Sequence, residues 1–311
     1  MKMYLSLTHK GIQVLFFLIL LLLFDTILGN GLRYLYFKQE GGSSSVATYI
    51  IDSCKDDVVV LGSSRASHHY VSRLIQDSLN IKCFNAGRDG NFLFYQYGLV
   101  KAMLLRHKPK LLVLDIFEDE FYIEFEKSND YISSLAPYYN DHFELQDIIE
   151  KRGPFEKLKH VSAIYPYNSM ALGIIKNQFS KDDLIASLGY LPIRLDSNRP
   201  AIKFEEVNED NYVVDYSKLA LLEEIVNFTL SQHVKIIIIQ SPRYINTINN
   251  KANSLIQEKM KLLNVQYLDF SHDSLYINKP NIFNDRNHLN ELGAVLFTTN
   301  ILIPIKNELV N

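Results

Sequence analysis

The chain has 311 residues, of which 47% are hydrophobic, 22% charged and 12% aromatic, as in globular proteins that bury one sizeable core. Its 32 basic and 35 acidic residues give a formal net charge of -3, which excludes the basic surface of a nucleic-acid-binding protein. The two cysteines form no C-x-x-C motif, so the sequence contains no zinc-ligand pattern, and we expect neither a metal ion nor another cofactor.

An apolar segment near the N-terminus predicts export and membrane attachment. Residues 14–24 are uninterrupted apolar sequence, and their extension approaches the ~20 residues that a bilayer core of about 30 Å requires. Lys2 and Lys10 precede this segment, so we expect residues 1–10 in the cytoplasm and the rest of the chain outside it. We interpret residues 11–30 as an uncleaved signal anchor. A cleaved signal peptide is the alternative, although no A-x-A site follows.

Apolar strand-like and amphipathic helix-like segments alternate along most of the remaining chain. A short polar stretch at 40–45, within a lead-in at 31–56, predicts a flexible tether. Strands are predicted at 58–61, 81–84, 110–116, 234–239 and 265–270, and helices at 66–79, 92–107, 217–232, 253–263 and 289–309. This alternation predicts an α/β domain over 57–311 with a doubly wound, flavodoxin-like parallel sheet of about five strands. Ligands of such sheets bind beyond the carboxyl ends of the strands.

Residues 120–214 interrupt the regular pattern after the third predicted strand. They are rich in Tyr, Asn, Asp and Pro and show weak periodicity. We therefore predict an insertion of mixed structure rather than an independent domain. It is either a solvated irregular lobe or a lid that shapes a substrate site. Within the second predicted strand, Cys83 is expected to be a buried thiol, and a disulfide with Cys54 is the alternative.

A first polar cluster, Gly62-Ser63-Ser64-Arg65, follows the first predicted strand. A glycine turn before a helix places a serine hydroxyl at the mouth of the sheet, beside amide groups that can stabilise an oxyanion. Ser64 is the candidate nucleophile, and Ser63 and Arg65 are candidate binding residues. A simple turn with a helix N-cap is the alternative interpretation.

Two further clusters lie where the same edge of the sheet is expected. Asn85-Ala86-Gly87 follows the second strand, and there a glycine permits close backbone approach while asparagine can donate hydrogen bonds. Asp285 precedes His288 by three residues just before the last helix, for which Asn290 or Asn287 can serve as N-cap. A carboxylate in that position can hold the imidazole Nδ1–H while Nε2 accepts a proton from a serine. A polar turn and plain surface charge are the alternatives.

Taken together, the three clusters resemble the motifs of the SGNH (GDSL-like) hydrolase superfamily. The resemblance implies that Ser64 is the nucleophile and His288 the general base. It also implies that Asp285 orients the histidine and that Asn85 and the Gly87 N–H belong to the oxyanion-binding region. Gly62-Ser63-Ser64 is similar to the first block, Gly-Asp-Ser; Asn85-Ala86-Gly87 with Gly90 to the second, Asn-x-Gly-x-x-Gly; and Asp285-x-x-His288 to the last.

One block departs from the superfamily pattern. The third block, Gly-x-Asn-Asp, is expected after the third strand, where the chain has Ile116-Phe117-Glu118-Asp119. Glu118 thus stands in place of an oxyanion-binding asparagine, and an ionised carboxylate would repel an oxyanion. Either Glu118 turns away or the site works differently. Loss of one such donor typically costs about 2.7–4 kcal/mol of barrier.

The resemblance implies a serine esterase or O-acyltransferase that acts through an acyl-enzyme. A membrane-anchored, exported chain with these motifs is similar to accessory proteins of the bacterial cell envelope that add or remove acyl groups on surface polysaccharides. This similarity implies a carbohydrate acyl ester as substrate and a multi-spanning membrane acyltransferase as partner. The alternative is a catalytically impaired relative that binds glycan or scaffolds a polysaccharide-assembly system.

Overall fold

The computed structural model describes residues 2–179, 184–195 and 201–310, so parts of the predicted insertion at 120–214 lie outside the described residues. The α-helices are α1 (Lys2–Phe37), α2 (Ser43–Thr48), α3 (Ser64–His69), α4 (Ser72–Leu79), α5 (Leu93–Arg106), α6 (Gln146–Glu150), α7 (Glu156–Lys159), α8 (Ala171–Asn177), α9 (Tyr216–Ser231), α10 (Lys251–Leu262), α11 (Ser274–Ile277) and α12 (Glu291–Val310). The strands are β1 (Val58–Leu61), β2 (Cys83–Asn85), β3 (Leu111–Asp115), β4 (Glu205–Asn208), β5 (Lys235–Gln240), β6 (Ile245–Ile248) and β7 (Gln266–Asp269). Short 3-10 helices occupy Glu118–Phe121, Glu126–Tyr138, Phe143–Leu145, Tyr165–Met170 and Pro280–Ile282, and Tyr49–Ser53 form a π-helical turn.

Five strands form one parallel sheet in the order β2-β1-β3-β5-β7. The register places Val58 of β1 beside Cys83 of β2 and Leu111 of β3, and Leu111 in turn beside Lys235 of β5. From β1 the chain moves out to β2 and then crosses back to β3, which is the flavodoxin-like order. The predicted fold class is therefore confirmed. Strands β4 and β6 form a separate, small parallel pair that the sequence analysis did not predict.

Helices cover both faces of the large sheet, because consecutive side chains of each buried strand point to opposite faces. Val59 and Leu112 belong to a core shared with α5, α9 and α10. Val58 and Leu111 belong to a second core shared with α3, α4 and α12. Strands that are apolar on both sides are typical of such doubly covered parallel sheets.

The first helix connects an exposed apolar segment to the body of the domain. Side chains 9–24 of α1 are exposed, whereas Tyr36 near its C-terminal end is buried in the core. Among the described helices, one segment, His9–Phe37, is long and apolar enough to cross a membrane by length and composition.

The polar stretch at 40–45 is not a flexible tether in the structure, which corrects that prediction. Ser43 begins α2, Ser45 is buried, and its hydroxyl donates to the carbonyl of Gly42 at 2.8 Å. The physical reason is that most of the residues that follow, from Val46 to Ile51, are apolar and are buried in the core. Because the serines directly precede them in α2, they are held against the domain as well.

The structure also decides two local predictions, one on a helix and one on the cysteines. The helix predicted at 66–79 is divided into α3 and α4, because the Asn85 amide donates to the carbonyls of Ala66 at 2.6 Å and Tyr70 at 3.0 Å. Those carbonyls are the acceptors that a continuous helix would use. Cys54 and Cys83 are both buried and free, so the buried thiol is confirmed and the disulfide is absent.

Candidate active site

The turn after β1 presents Ser64 at the carboxyl edge of the sheet. Gly62 has φ 148°, and an added Cβ would lie 2.7 Å from the carbonyl oxygen of Asp115 and 2.8 Å from Cβ of Ala66. Only glycine fits this turn without displacement. The Gly62 carbonyl accepts a hydrogen bond of 2.7 Å from the Gln96 side chain, which holds the turn in place. Ser64 follows as the first residue of α3.

The structure brings Ser64, His288 and Asp285 together. Ser64 Oγ lies 2.7 Å from Nε2 of His288, and Nδ1 of His288 lies 2.9 Å from both carboxylate oxygens of Asp285. Burial would raise the pKa of Asp285, but hydrogen bonds from His288 and the Asn287 main chain outweigh it and lower the pKa to about 2. The ionised carboxylate therefore holds the proton on Nδ1 and leaves Nε2 to accept the serine proton.

The two ends of the loop that carries Asp285 and His288 are paired with each other. Phe283 and Leu289 form an antiparallel bridge across it. Asn290 Oδ1 accepts the first-turn amides of α12 at 3.0 and 3.2 Å, so Asn290 rather than Asn287 caps that helix. Asn287 instead accepts a hydrogen bond from Arg243, described below.

A buried histidine that the sequence analysis did not assign to the site supports this loop. Nε2 of His69 accepts the amide N–H of Leu289 at 2.9 Å, so Nδ1 carries the proton and donates to Oγ of Ser241 at 3.0 Å. Burial lowers the pKa of His69 well below its ordinary value, which keeps the ring neutral. Its partners are 220 and 172 residues away along the chain, so no local pattern could reveal them.

The neighbouring histidine, His68, lies between His288 and the residues Asp89 and Leu191. Its ring centroid is 5.6 Å from that of His288, and Nδ1 donates to the carbonyl of Leu191 at 2.7 Å. Nε2 lies 3.4 Å from the carboxylate of Asp89. Burial lowers the pKa of His68, but these two contacts outweigh it and the pKa is raised. His68 thus brings a positive charge close to the ring of His288 when it is protonated.

Asn85 and Gly87 are not available to an oxyanion in this structure, which corrects the roles implied by the resemblance. The Asn85 amide nitrogen donates to two carbonyls of the α3–α4 break, and its Oδ1 accepts the Gly87 N–H at 2.9 Å. A Cβ at Gly87 would also meet the backbone of Ala66 and Ser67. Both residues therefore allow the loop after β2 to pack closely against α3.

Glu118 turns away into a buried ion pair. Its carboxylate accepts a hydrogen bond of 2.5 Å from Nη1 of Arg243, and Arg65 Nη1 lies 3.9 Å from it. Arg243 also donates to both carboxylate oxygens of Asp119, at 2.7 and 3.0 Å. The position of the asparagine donor implied by the third block is thus occupied by a carboxylate that is paired with Arg243. This answers the alternative left open by the sequence: Glu118 faces the arginines.

Arg65, predicted as a binding residue, is a structural cross-link instead. It is almost completely buried, and its guanidinium donates to the carbonyls of Ile116 and Ser241. Its Nε lies 3.5 Å from the Asp115 carboxylate. Burial raises the pKa of Asp115, although the positive charge of Arg65 opposes that shift. The group joins the ends of β1, β3 and β5 beneath the site.

The start of α3 offers one candidate donor for an oxyanion. Ser63 is buried at the N-cap position, and its side chain makes no capping hydrogen bond. Ser64 is the first helical residue, so its amide N–H has no acceptor within the helix by position. That amide is close to the reacting hydroxyl because both belong to the same residue, and it is the donor that this geometry leaves for an oxyanion.

A cleft with a volume of about 560 Å³ lies between α2 and the segments 87–89 and 184–192. Its described lining does not include Ser64, Asp285 or His288, but His68, which packs against His288, contacts Asp89 and Leu191 of that lining. Asp89 at its rim accepts a hydrogen bond of 2.7 Å from Ser67, which lies one helical turn after Ser64. Within the described part of the chain, the buried hydroxyl of Tyr190, which lines the cleft, has no hydrogen-bond partner. The volume is in the range of small-molecule sites.

Comparisons with known proteins give structural likeness but no sequence relative. No protein-family model and no curated protein matches the sequence. The chain is similar to a solved carbohydrate acetylesterase family member from Sinorhizobium meliloti, with 8% identity and a TM-score of 0.37 over 82% of this chain and 100% of that one. It is also similar to a gut microbial diltiazem-metabolizing enzyme, with 15% identity and a TM-score of 0.38 over 81% of this chain. The match spans about half of that enzyme, 47%. At this level of likeness neither structure assigns a reaction to the chain.

Proposed function

We propose that the chain is a serine esterase or O-acyltransferase with Ser64 as nucleophile. The single observation that carries this proposal is the 2.7 Å distance from Ser64 Oγ to Nε2 of His288, whose Nδ1 is held by Asp285. The hydroxyl proton passes to Nε2 as Oγ bonds to the acyl carbonyl carbon, and the imidazolium then protonates the departing alcohol. Water or a hydroxyl acceptor, deprotonated by the same imidazole, releases the acyl group.

Few hydrogen-bond donors are available for the oxyanion in this mechanism. The proposed donor is the Ser64 N–H at the start of α3, because the Gly87 N–H is bonded to Asn85 and Glu118 is bonded to Arg243. Each missing donor typically lowers kcat by about 10²–10³-fold. We therefore propose a slow enzyme, whose rate depends on positioning of the triad.

The substrate that we propose is an acyl ester of a cell-surface carbohydrate. The motif resemblance supports this substrate class, and the cleft beside Asp89 has a volume suited to a sugar or an acyl group. We also propose the arrangement in the cell. Residues 1–10 are cytoplasmic, 11–30 cross the membrane, and 57–311 form an extracytoplasmic domain of the bacterial envelope. A multi-spanning membrane acyltransferase is the proposed partner.

A second candidate, a non-catalytic glycan-binding or scaffold protein, is favoured by a specific observation. Both the Gly87 N–H and the Glu118 carboxylate, at the positions of two oxyanion donors, have partners within the protein. A chain of this kind would keep the cleft but would not form an acyl-enzyme.

Labelling with a fluorophosphonate separates the two candidates. The full chain in detergent micelles is treated with the probe, and the modified peptide is identified by mass spectrometry. We expect modification of Ser64, loss of labelling in Ser64→Ala, and retention in the matched control Ser63→Ala. Strong loss is also expected in His288→Gln, because the base is removed.

Two results would reject the enzymatic proposal. The first is a folded wild-type chain that neither labels nor hydrolyses aryl acetates or acetylated oligosaccharides; if it still binds oligosaccharide, the second candidate holds. The second is labelling that persists in Ser64→Ala but disappears in Ser63→Ala, which would move the nucleophile by one residue.

A further inference from the structure

The first helix is locked to the insertion at a point close to its apolar segment. The carboxylate of Asp25 accepts hydrogen bonds from the Ser162 hydroxyl at 2.6 Å and from the main-chain N–H groups of Ala163 at 2.7 Å and Ile164 at 3.3 Å. Gly29, one turn later, lies directly against Ala163 and leaves no space for a side chain. The chain around 161–164 is therefore held at the height of residues 25–29 of α1.

Helix length sets where this contact lies relative to a bilayer. A hydrocarbon core of about 30 Å takes ~20 helical residues. Counted from Lys10, the last charged residue before the apolar run, such a span ends near Asn30. Asp25 then lies about 7 Å below that outer boundary. A domain segment bonded to Asp25 must enter the interfacial layer, and the three hydrogen bonds on its carboxylate suit a charged group at that depth.

The segment next to this contact has the surface that such a location requires. Residues 151–159 contain four basic residues and one acidic residue, Glu156. Glu156 is buried and bonded to Arg152 and Lys159. Exposed apolar side chains lie among these basic residues or directly after them: Phe155 at 63%, Leu158 at 68% and Val161 at 78% exposure. Large apolar side chains flanked by basic residues are typical of elements that lie in the membrane interface.

We propose that residues 151–163 form a membrane-interface element whose ligand is the anionic headgroup layer of the leaflet on the domain's side. Phe155, Leu158 and Val161 insert among the acyl chains, while Lys151 and Lys157 face headgroup phosphates. The occupant is a lipid surface because the patch continues the exposed apolar surface of α1 at the Asp25 contact. The element gives the domain a second attachment, which fixes its height and tilt. This inference rests on the proposed membrane span of residues 11–30, which the probe at position 27 tests separately, and not on the enzymatic proposal.

The test uses the full chain in lipid nanodiscs, with single cysteines labelled by an environment-sensitive fluorophore. Cys54 and Cys83 are buried and do not compete for label in the folded chain. The test variants are Val161→Cys and Leu158→Cys. The positive control is Ile27→Cys in the apolar segment. The negative control is Leu262→Cys on α10, because the Leu262 side chain is as exposed as that of Val161, at 78%. Nitroxide-labelled lipid is expected to quench most of the fluorescence at 161, 158 and 27, and little at 262.

A charge variant tests the headgroup part of the proposal. Lys151→Glu combined with Lys157→Glu is expected to reduce quenching at 161 in nanodiscs that contain an anionic lipid. The change is expected to be small in purely zwitterionic nanodiscs, and Lys261→Glu on α10 serves as the control. These side chains are exposed, and an unchanged melting temperature confirms folding.

Two outcomes overturn the inference. Probes at 158 and 161 that are as unquenched as the probe at 262 would show that the element stays in water. Disulfide-linked dimers formed in high yield by unlabelled Val161→Cys, together with an unquenched probe on the labelled variant, would show that a second copy of the chain covers the patch instead.

Discussion

Arg243 donates from Nε to Oδ1 of Asn287 over 3.0 Å and thereby links the end of β5 to the loop that carries Asp285 and His288. The same guanidinium is bonded to Glu118 and Asp119 after β3. Burial would lower the pKa of Arg243, but the two carboxylates outweigh it and raise the pKa, so the group stays charged. One cation therefore pairs with the acid at the third-block position and, through Asn287, holds the loop between Asp285 and His288.

Replacement of Arg243 by methionine is expected to destabilise the chain by about 3–5 kcal/mol, because Glu118 is left buried without its main partner. The rate of fluorophosphonate labelling at Ser64 should fall as well, since Asn287 loses its donor. Denaturant unfolding and labelling kinetics measure the two effects.

The matched control is the double variant Arg243→Met with Glu118→Gln. It should recover most of the lost stability, because the buried unpaired charge of Glu118 is gone and the charge of Asp119 is partly exposed to water. It should not recover the labelling rate, because Asn287 still lacks its donor. A single variant as stable as the wild type would contradict this account of the ion pair.

The fold could be predicted because its signals are local. Runs such as Val58–Leu61 and Lys235–Gln240 are buried and mostly apolar on both faces, and a helix follows each of them, α3 from Ser64 and α10 from Lys251. The β4–β6 pair escaped notice because its strands are short and half exposed. Residues 40–45 were predicted to be a flexible tether because a Gly-Ser run is typical of one. Such a run does not show that the apolar residues after it are buried.

The candidate site could be predicted only where its residues lie in short motifs. Asp285 and His288 are three residues apart, and Ser64 follows a strand that the pattern locates. The partner of Glu118 is 125 residues away, so the sequence could not show that its charge is neutralised. The occupation of the Gly87 N–H depends on the side-chain direction of Asn85, which no composition or spacing reports.

His69 is expected to act as a positioning residue. His69→Gln should lower the labelling rate of Ser64 and the kcat for ester hydrolysis, while KM changes little, because the loop around Leu289 loses its anchor at Nε2. One buried group left unpaired costs about 1–3 kcal/mol. The control is His68→Gln, whose partners Leu191 and Asp89 line the cleft, so its main effect should be on KM. Equal changes in KM for both variants would oppose the assignment.

Asn85 is expected to be intolerant of a change that alters only its donor. Asn85→Asp keeps an acceptor for the Gly87 N–H but places a carboxylate against the carbonyls of Ala66 and Tyr70. We expect a loss of roughly 2 kcal/mol or more, since two hydrogen bonds are replaced by repulsion in a buried place. Asn91→Asp, where the amide donates to one carbonyl, should cost less. The midpoint of denaturant unfolding compares the two variants, and an equal loss in both would show that Asn85 has no special role.

His160 is expected to make stability depend on pH. Its ring stacks on Tyr139 at 3.8 Å, and burial lowers its pKa to about 4. At a pH between the unfolded-state pKa near 6.5 and the folded-state pKa, the unfolded chain binds a proton that the folded chain does not. The contribution of His160 to the free energy of unfolding is therefore complete above about pH 6.5 and is lost as the pH falls. The slope is at most ~1.4 kcal/mol per pH unit. His160→Phe keeps the stacking but cannot titrate, so its unfolding free energy should decline less than that of the wild type between pH 6.5 and about 4. Parallel declines for the two proteins, measured by denaturant unfolding at each pH, would show that the ring is already protonated in the folded chain.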